Sequence, residues 1–153
     1  MPSETLSPRR LSVDLVGTWE LVSRIDRTAS GETSAEPSLG ADPYAMLYYD
    51  RTGHFAAQFM KRDRTAAGEE PAVSAPNNSR ARGGYDAYFG TYTVDDVRGT
   101  VTQRLVGALS NENVGQVLTR AMKVSNDTLT IEVGTASPDG EPVTRTLVWT
   151  RVA

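Results

Sequence analysis

Three tyrosines and one arginine carry most of the chemistry that this chain offers. Tyr48, Tyr88 and Tyr92 each supply a phenolic hydroxyl, and Arg120 interrupts an otherwise apolar alternation of residues. Such hydroxyls can donate hydrogen bonds to a carbonyl oxygen while a guanidinium stabilises developing negative charge. These residue types suit an enolisation, a cyclisation or a dehydration without a cofactor. They would equally line a pocket that only binds, with apolar walls and a few polar groups that fix the ligand's orientation.

Arg120 has two interpretations. Its period-two neighbours within Val117–Val124 are apolar, and a charge on an apolar strand face is costly unless it is paired. One interpretation is an ion pair at the mouth of the fold. The other is a fixed cation that binds a carboxylate, enolate or phenolate in a cavity. Arginine suits the second role because it stays charged and offers a planar fork of donors.

Composition excludes several other kinds of site. The 153 residues contain no Cys and a single His, His54, which excludes thiolate zinc sites, iron–sulfur clusters, a cysteine nucleophile and multi-histidine metal sites. The sequence has no P-loop, G-x-G-x-x-G or G-x-S-x-G motif, so nucleotide cofactors and a serine triad are not expected. We therefore predict no metal and no cofactor. His54 follows Gly53 in a turn, and we interpret it as a solvated turn residue rather than a general base.

Charge and hydropathy argue against two classes of partner. The 16 Lys and Arg residues against 19 Asp and Glu residues give a formal net charge of −3, which argues against a nucleic-acid binder. Apolar runs of about 18 residues are absent, so no membrane-spanning helix is expected. The first residues lack the apolar core of a signal peptide, which predicts a cytoplasmic protein. We expect a monomer or a homodimer.

A period of two dominates the chain and predicts an all-β fold. Runs of alternating or β-branched residues between turn residues predict strands over Trp19–Ile25, Tyr44–Tyr49, His54–Arg62, Ala87–Val94, Thr100–Val106, Val117–Val124, Leu129–Val133 and Val143–Val152. Most intervening segments are too short for a helical crossover, so antiparallel hairpins are expected. The length is that of one domain, which we place at residues 11–153 after a flexible tail of residues 1–10.

Two segments break this rhythm. Residues 28–43 are polar and rich in Gly, Ser and Pro, with room for one weak strand around Glu32–Glu36. Residues 63–84 are longer, and a structureless stretch of that length in a compact domain is usually functional or disordered. The second segment is either a surface loop or a lid over a cavity.

Several short motifs occur in an order and spacing typical of one family. They are Leu15–Trp19, Leu47–Tyr49, Ala57–Arg64, Tyr85–Tyr92, Val114–Gln116 and Leu147–Arg151, together with Gly53 and Arg120. Over residues 11–152 the chain resembles the bacterial and fungal lipocalin-like domain family, small barrels related to the calycins. The resemblance implies a closed antiparallel up-and-down β-barrel of about eight to ten strands with a central cavity. It fixes no single activity, because members often accompany natural-product pathways and many have no assigned function.

The resemblance also implies a structural plug. Gly17 and Trp19 match the start of a lipocalin barrel, where the indole closes one end beneath an arginine of the last strand, here Arg151. The chain departs from the family pattern in two places. Gln103 stands where members commonly carry a histidine, and Ser110–Asn113 replaces a Pro-Asn-Trp-like turn.

Together these expectations define a predicted site. We predict catalytic roles for Tyr88, Arg120 and Tyr48, and ligand contacts for Gln58, Met60, Arg62, Tyr92, Gln103 and Met122. The predicted ligand is a small, mainly apolar molecule, a polyketide- or terpenoid-type intermediate, which undergoes a cofactor-free cyclisation or isomerisation in the barrel. The alternative is a non-catalytic carrier of such a molecule. A structural or interaction module would instead need a solid apolar core and an exposed patch.

Overall fold

Nine strands and one short helix form most of the regular structure of the described residues. The structure, a computed structural model, describes residues 10–34, 36–64, 77, 79–137 and 139–153. The predicted all-β class is confirmed, and β2 falls where the sequence predicts one weak strand. The elements are α1 (Leu11–Asp14), β1 (Gly17–Thr28), β2 (Thr33–Ser34), β3 (Tyr44–Tyr49), β4 (His54–Met60), β5 (Tyr85–Asp95), β6 (Thr100–Ala108), β7 (Val117–Ser125), β8 (Thr128–Ala136) and β9 (Pro142–Arg151).

The sheet is antiparallel and closes on itself. From β3 to β9 each strand pairs with the next, and β1 pairs with both β3 and β9, which closes a barrel of eight strands. The two-residue strand β2 adds an extra hairpin to the end of β1. Closure removes the unpaired edges that an open sheet would leave. The fold is therefore the up-and-down barrel that the sequence predicts.

A bulge at Val106 of β6, opposite Phe89 and Gly90, shows why one glycine is required inside the barrel wall. The β5–β6 register shifts between Phe89 and Gly90, and such a bulge bends a strand and increases its twist. A Cβ atom on Gly90 would lie 1.8 Å from the backbone oxygen of Arg104. The sequence leaves open whether Gly90 makes room for a backbone or for a ligand. The close neighbour is the backbone of β6.

A tryptophan closes the end of the barrel where β1 begins. Trp19 is fully buried, and its Nε1 donates a hydrogen bond of 2.9 Å to the Leu15 carbonyl. The Arg151 guanidinium lies 4.3 Å from the centroid of the Trp19 ring, so the expected cation–π contact is present. A side chain on Gly17 would collide with Arg151, since a Cβ would lie 2.7 Å from its Nη1.

Helix α1 precedes this plug and was not expected from the sequence. Four residues make about one turn, which is too short to carry a helical period. None of the helices in the described ranges is long and apolar enough to cross a membrane.

Two asparagine side chains bind the connection between β4 and β5 to the end of the barrel opposite the Trp19 plug. The Asn113 side chain accepts from the Arg80 amide at 2.9 Å and donates to its carbonyl at 3.0 Å. The Asn77 side chain makes the same pair of bonds with the backbone of Thr119, at 3.0 and 2.9 Å. Each side-chain amide pairs with a backbone N–H and C=O as a neighbouring strand would. The described part of this connection is therefore hydrogen-bonded to β7 and to the β6–β7 turn.

Two predictions fall on residues that the structure does not describe. Residues 65–76 and 78 lie outside the described residues, so the choice between a surface loop and a lid for residues 63–84 stays open. Residues 1–9 lie outside them too, and the flexible tail stays a prediction.

Candidate functional site

A buried cation lies on the inner face of β7. Arg120 is only 7% exposed, because the strand alternation turns it inward between two buried neighbours, Leu118 and Met122. Its Nη1 donates to the Asn77 carbonyl at 2.8 Å and to the Thr119 carbonyl at 3.3 Å. Arg120 forms no ion pair with any carboxylate of the described residues. Among the described residues the guanidinium is thus held by carbonyl oxygens, and no described carboxylate balances its charge.

Two tyrosine hydroxyls lie close enough to Arg120 to be coupled to it. Burial raises the pKa of Tyr88 to about 12, and Arg120 opposes that rise. Burial also raises the pKa of Tyr49, with Tyr88 adding to the rise and Arg120 again opposing it. Gln103 Nε2 donates to the Tyr49 hydroxyl, which itself donates to the sulfur of Met122 at 3.9 Å. Both tyrosines are therefore protonated at neutral pH, and each keeps an O–H that can be donated.

A carboxylate lies on the same inner face as Tyr88. Asp86 is 3% exposed, and Ser79 Oγ donates to its Oδ2 at 2.6 Å. Its Oδ1 has no hydrogen-bond partner among the described residues. Burial raises the pKa of Asp86 to about 6, and the Ser79 hydroxyl, the backbone amide of Ala87 and the charge of Arg24 limit the rise. Asp86 can therefore change protonation state close to neutral pH.

Two further buried arginines are compensated by carboxylates. Arg145 holds both oxygens of Asp26, with its Nε at 2.7 Å from Oδ1 and its Nη2 at 2.9 Å from Oδ2. Arg24 donates to Glu36 Oε1 at 3.1 Å. Burial lowers the pKa of Arg24, and the like charge of Arg145 adds to that effect. These two pairs neutralise themselves, which sets them apart from Arg120.

Aromatic rings lie among the apolar side chains of the inner surface. Phe59 meets Trp149 edge to face at a centroid distance of 5.8 Å, and Phe55 meets Tyr88 at 6.0 Å. Trp149 Nε1 is buried without a hydrogen-bond partner in the described part of the chain. The interior thus combines apolar walls with a small number of polar groups, the usual composition of a small-molecule site.

Residues 16–152 match the family model of the lipocalin-like domain. The chain belongs to that family. A comparison with curated proteins finds no significant match. Eight-stranded barrels of this kind are wide enough to hold one small ligand, so the lipocalin-like fold suits the chain to binding a small molecule.

The lipocalin-like barrel brings four of the predicted site residues together. Tyr88, Arg120, Gln103 and Met122 all lie inside it. Gln103, at the position where the family commonly has histidine, serves as the donor to the Tyr49 hydroxyl.

Tyr92 occupies an intermediate position. It is half-buried, and its ring meets that of Tyr49 at 4.8 Å. Its hydroxyl donates to the Asp50 carbonyl at 2.5 Å, in the β3–β4 turn at the plugged end. The hydroxyl of Tyr92 is therefore already used within the fold.

Four predicted site residues lie on the outer face, and their assignment to the interior is wrong. Tyr48 is 37% exposed, Gln58 is exposed, Met60 is half-buried, and Arg62 pairs with Asp42 at 3.2 Å on the surface. The physical reason is that side chains alternate between the two faces of a strand. In β4 the more apolar alternate residues Phe55, Ala57 and Phe59 point inward, which turns Gln58 and Met60 outward.

Sequence reasoning missed several inward polar residues, and two of them, Tyr49 and Asp86, are coupled to Tyr88. Tyr49 rather than Tyr48 faces the interior, because the alternation of β3 buries Leu47 with it. Asp86 lies two residues before Tyr88 and therefore shares its face. Extending the period of two by one step along β5 would have found it.

Proposed function

We propose that this lipocalin-like barrel binds a small, mainly apolar molecule of polyketide or terpenoid type that carries an anionic or enolic oxygen. The observation that carries the proposal is the buried charge of Arg120, which no carboxylate of the described residues balances, among the aromatic side chains of the interior. A carboxylate, enolate or phenolate would supply the counter-charge that no carboxylate of the described residues provides. The rings of Phe55, Phe59 and Trp149 would contact the apolar body.

We further propose that the bound molecule undergoes a cofactor-free cyclisation or isomerisation. This step is supported by the two protonated hydroxyls of Tyr49 and Tyr88 beside Arg120. Three donors around one oxygen would stabilise the negative charge that develops when a carbonyl compound is converted to its enolate. The non-catalytic carrier remains the alternative, since the same groups would hold an enolate or carboxylate without changing it.

The binding proposal can be tested with a matched pair of fluorescent probes. Anilinonaphthalene sulfonate is anionic, and N-phenylnaphthylamine has the same ring system without the charge. A charge-assisted hydrogen bond contributes about 1.5–3 kcal/mol, or about tenfold or more in Kd. We expect Arg120→Leu to weaken binding of the anionic probe by at least about tenfold and to change the uncharged probe's affinity by less than about twofold.

The control is Arg104→Leu, which removes an exposed arginine from the outer face of the neighbouring strand. It should leave both affinities unchanged. If Arg120→Leu binds the anionic probe as tightly as the parent protein does, Arg120 is not the anion contact and the proposal fails.

A further inference from the structure

Asp86 differs from the other fully buried aspartate of the barrel interior in how its oxygens are used. Both oxygens of Asp26 accept hydrogen bonds from Arg145, so that carboxylate is satisfied by the fold. Asp86 uses only Oδ2, which accepts from Ser79, while Oδ1 is buried without a partner among the described residues. A buried carboxylate oxygen with no donor is costly for a purely structural group. The free oxygen therefore calls for a functional explanation.

The position of Asp86 supplies a functional explanation for its free oxygen. It precedes Tyr88 by two residues on the inner face of β5, so the two side chains start about 6.6 Å apart along the strand. The electrostatic coupling is direct, since a charge on Asp86 raises the pKa of Tyr88 and a charge on Arg120 lowers it. The interior thus contains a proton acceptor, a hydroxyl donor and a cation, with the hydroxyl coupled to both charges.

We propose that Asp86 is the catalytic base of a double-bond isomerisation that passes through an enolate, in which its Oδ1 removes a proton from the carbon next to a carbonyl held by Tyr88 and Arg120. This inference rests on the proposed function and narrows it to one reaction class. The substrate is an apolar ketone with an acidic α-hydrogen and a C=C bond next to the α-carbon.

The step balances without a co-reactant. The electron pair of the broken C–H bond becomes the C=C bond of the enolate, and the carbonyl oxygen takes the negative charge. The proton stays on Asp86 Oδ1 until it is returned to a different carbon of the conjugated system. That return forms the isomer and regenerates the carboxylate, so nothing is oxidised or reduced.

The groups that face Asp86 set the pH at which it can act. They are the Ser79 hydroxyl from the β4–β5 connection, Arg24 from β1, and the Ala87 backbone amide and Tyr88 from its own strand. Burial raises the pKa of Asp86 to about 6. The base is therefore ionised above that pH, and the rate should rise between about pH 5 and 7 and then level off.

The test uses β-tetralone, an apolar ketone with acidic α-hydrogens, in D₂O. The measured quantity is the rate at which deuterium replaces the α-hydrogens, followed by NMR. We expect the wild-type protein to exceed the buffer rate and Asp86→Asn to lose about a hundredfold or more of the protein-catalysed rate. Displacement of N-phenylnaphthylamine should show that Asp86→Asn still binds β-tetralone. The control is Asp95→Asn, the same change at an exposed position of the same strand, which should leave the rate unaltered.

A second variant keeps the inference testable if Asp86→Asn fails to fold. Ser79→Ala removes the hydroxyl that lowers the pKa of Asp86, so the break in the pH–rate profile should move to higher pH. A merely structural Asp86 would not produce such a shift.

Three outcomes would overturn the inference. If β-tetralone displaces the probe but its exchange never exceeds the buffer rate, Asp86 is not a base, although the binding proposal stands. If Asp86→Asn exchanges as fast as the parent, the base is another group. If neither naphthalene probe nor β-tetralone binds, the proposed function fails and this inference fails with it.

Discussion

The buried pair between Asp26 and Arg145 allows the strongest quantitative prediction about stability. The two residues face each other across the seam where β1 and β9 close the barrel. Their side chains are 3% and 6% exposed and share two hydrogen bonds of 2.7 and 2.9 Å. Asp26→Asn keeps the shape of the side chain but leaves the Arg145 charge buried without a counter-ion. Removing one partner of such a pair costs about 3–5 kcal/mol of unfolding free energy.

The size of the loss follows from what each partner contributes. The asparagine amide can still accept one of the two hydrogen bonds, so Asp26→Asn should lie near the lower limit, about 3 kcal/mol. Asp26→Ala also removes that acceptor and should lie near the upper limit. The double variant Asp26→Leu with Arg145→Met removes both charges and fills the space with apolar groups. Its stability should lie within about 1 kcal/mol of the parent or exceed it.

Urea unfolding followed by tryptophan fluorescence is a suitable assay, because Trp19 and Trp149 are both buried. The control is Asp42→Asn, which breaks the pair between Asp42 and Arg62, whose side chains are 73% and 53% exposed. Exposed pairs contribute about 0–1 kcal/mol, so this change should be hardly measurable. If Asp26→Asn costs no more than Asp42→Asn, or if the double variant loses the sum of its single variants, the buried-charge argument is wrong.

Three further predictions concern the plug, the bulge and the buried acid. Trp19→Ala should lower the unfolding free energy by about 3–5 kcal/mol, and a melting temperature within a degree or two of the parent would show that the indole is not the plug. Gly90→Ala should lower the unfolding free energy, measured by urea unfolding, more than Gly107→Ala does. The Cβ of the first variant would lie 1.8 Å from a backbone oxygen, whereas that of the second would lie 2.3 Å from the exposed ring of Phe89, which can move. Equal losses would contradict that reasoning. The raised pKa of Asp86, about 6, lies above its unfolded value, so its contribution to stability is fully present below about pH 4 and is lost as the pH rises through 6. As the pH rises from 4.5 to 7.5, the unfolding free energy of Asp86→Asn should therefore increase by up to about 2–3 kcal/mol relative to that of the parent protein. A difference that does not change with pH would refute this assignment.

The fold could be predicted because its determinants are local. The period of two along each strand and the turn residues between strands are both visible in the sequence, and hairpin connections follow from the short spacers. Helix α1 could not be found this way, because Leu11–Asp14 makes about one turn and shows no periodicity.

The candidate site was harder to predict because a one-residue error reverses every side chain of a strand. The face of β4 that holds Gln58 and Met60 is mixed in character, and the opposite face is only slightly more apolar. The cross-strand pairing of Tyr49 with Phe55 decides the orientation, since it places two aromatic rings on the same inner face. That pairing joins two strands and is not visible in either strand alone.

The buried charges other than Arg120 were missed for a related reason. A charged residue in a strand is ordinarily placed on the solvent face, and Asp26 is acceptable inside only because Arg145, 119 residues later, reaches both of its oxygens. Compensation over that separation depends on closure of the barrel, which the local pattern does not encode.

The distribution of charge inside the barrel is itself an argument for a ligand. Asp26 and Glu36 neutralise Arg145 and Arg24 at direct contact. Arg120 and Asp86 form no ion pair with any described residue, and neither contributes to the pKa shift of the other. Opposite charges held apart in a medium of low dielectric constant lack the attraction that would offset their desolvation. A protein selected only for stability would replace them with apolar residues or bring them into contact. A bound molecule that places an oxygen against Arg120 and a polarised C–H group against Asp86 would interact with both charges at once, which accounts for their separation.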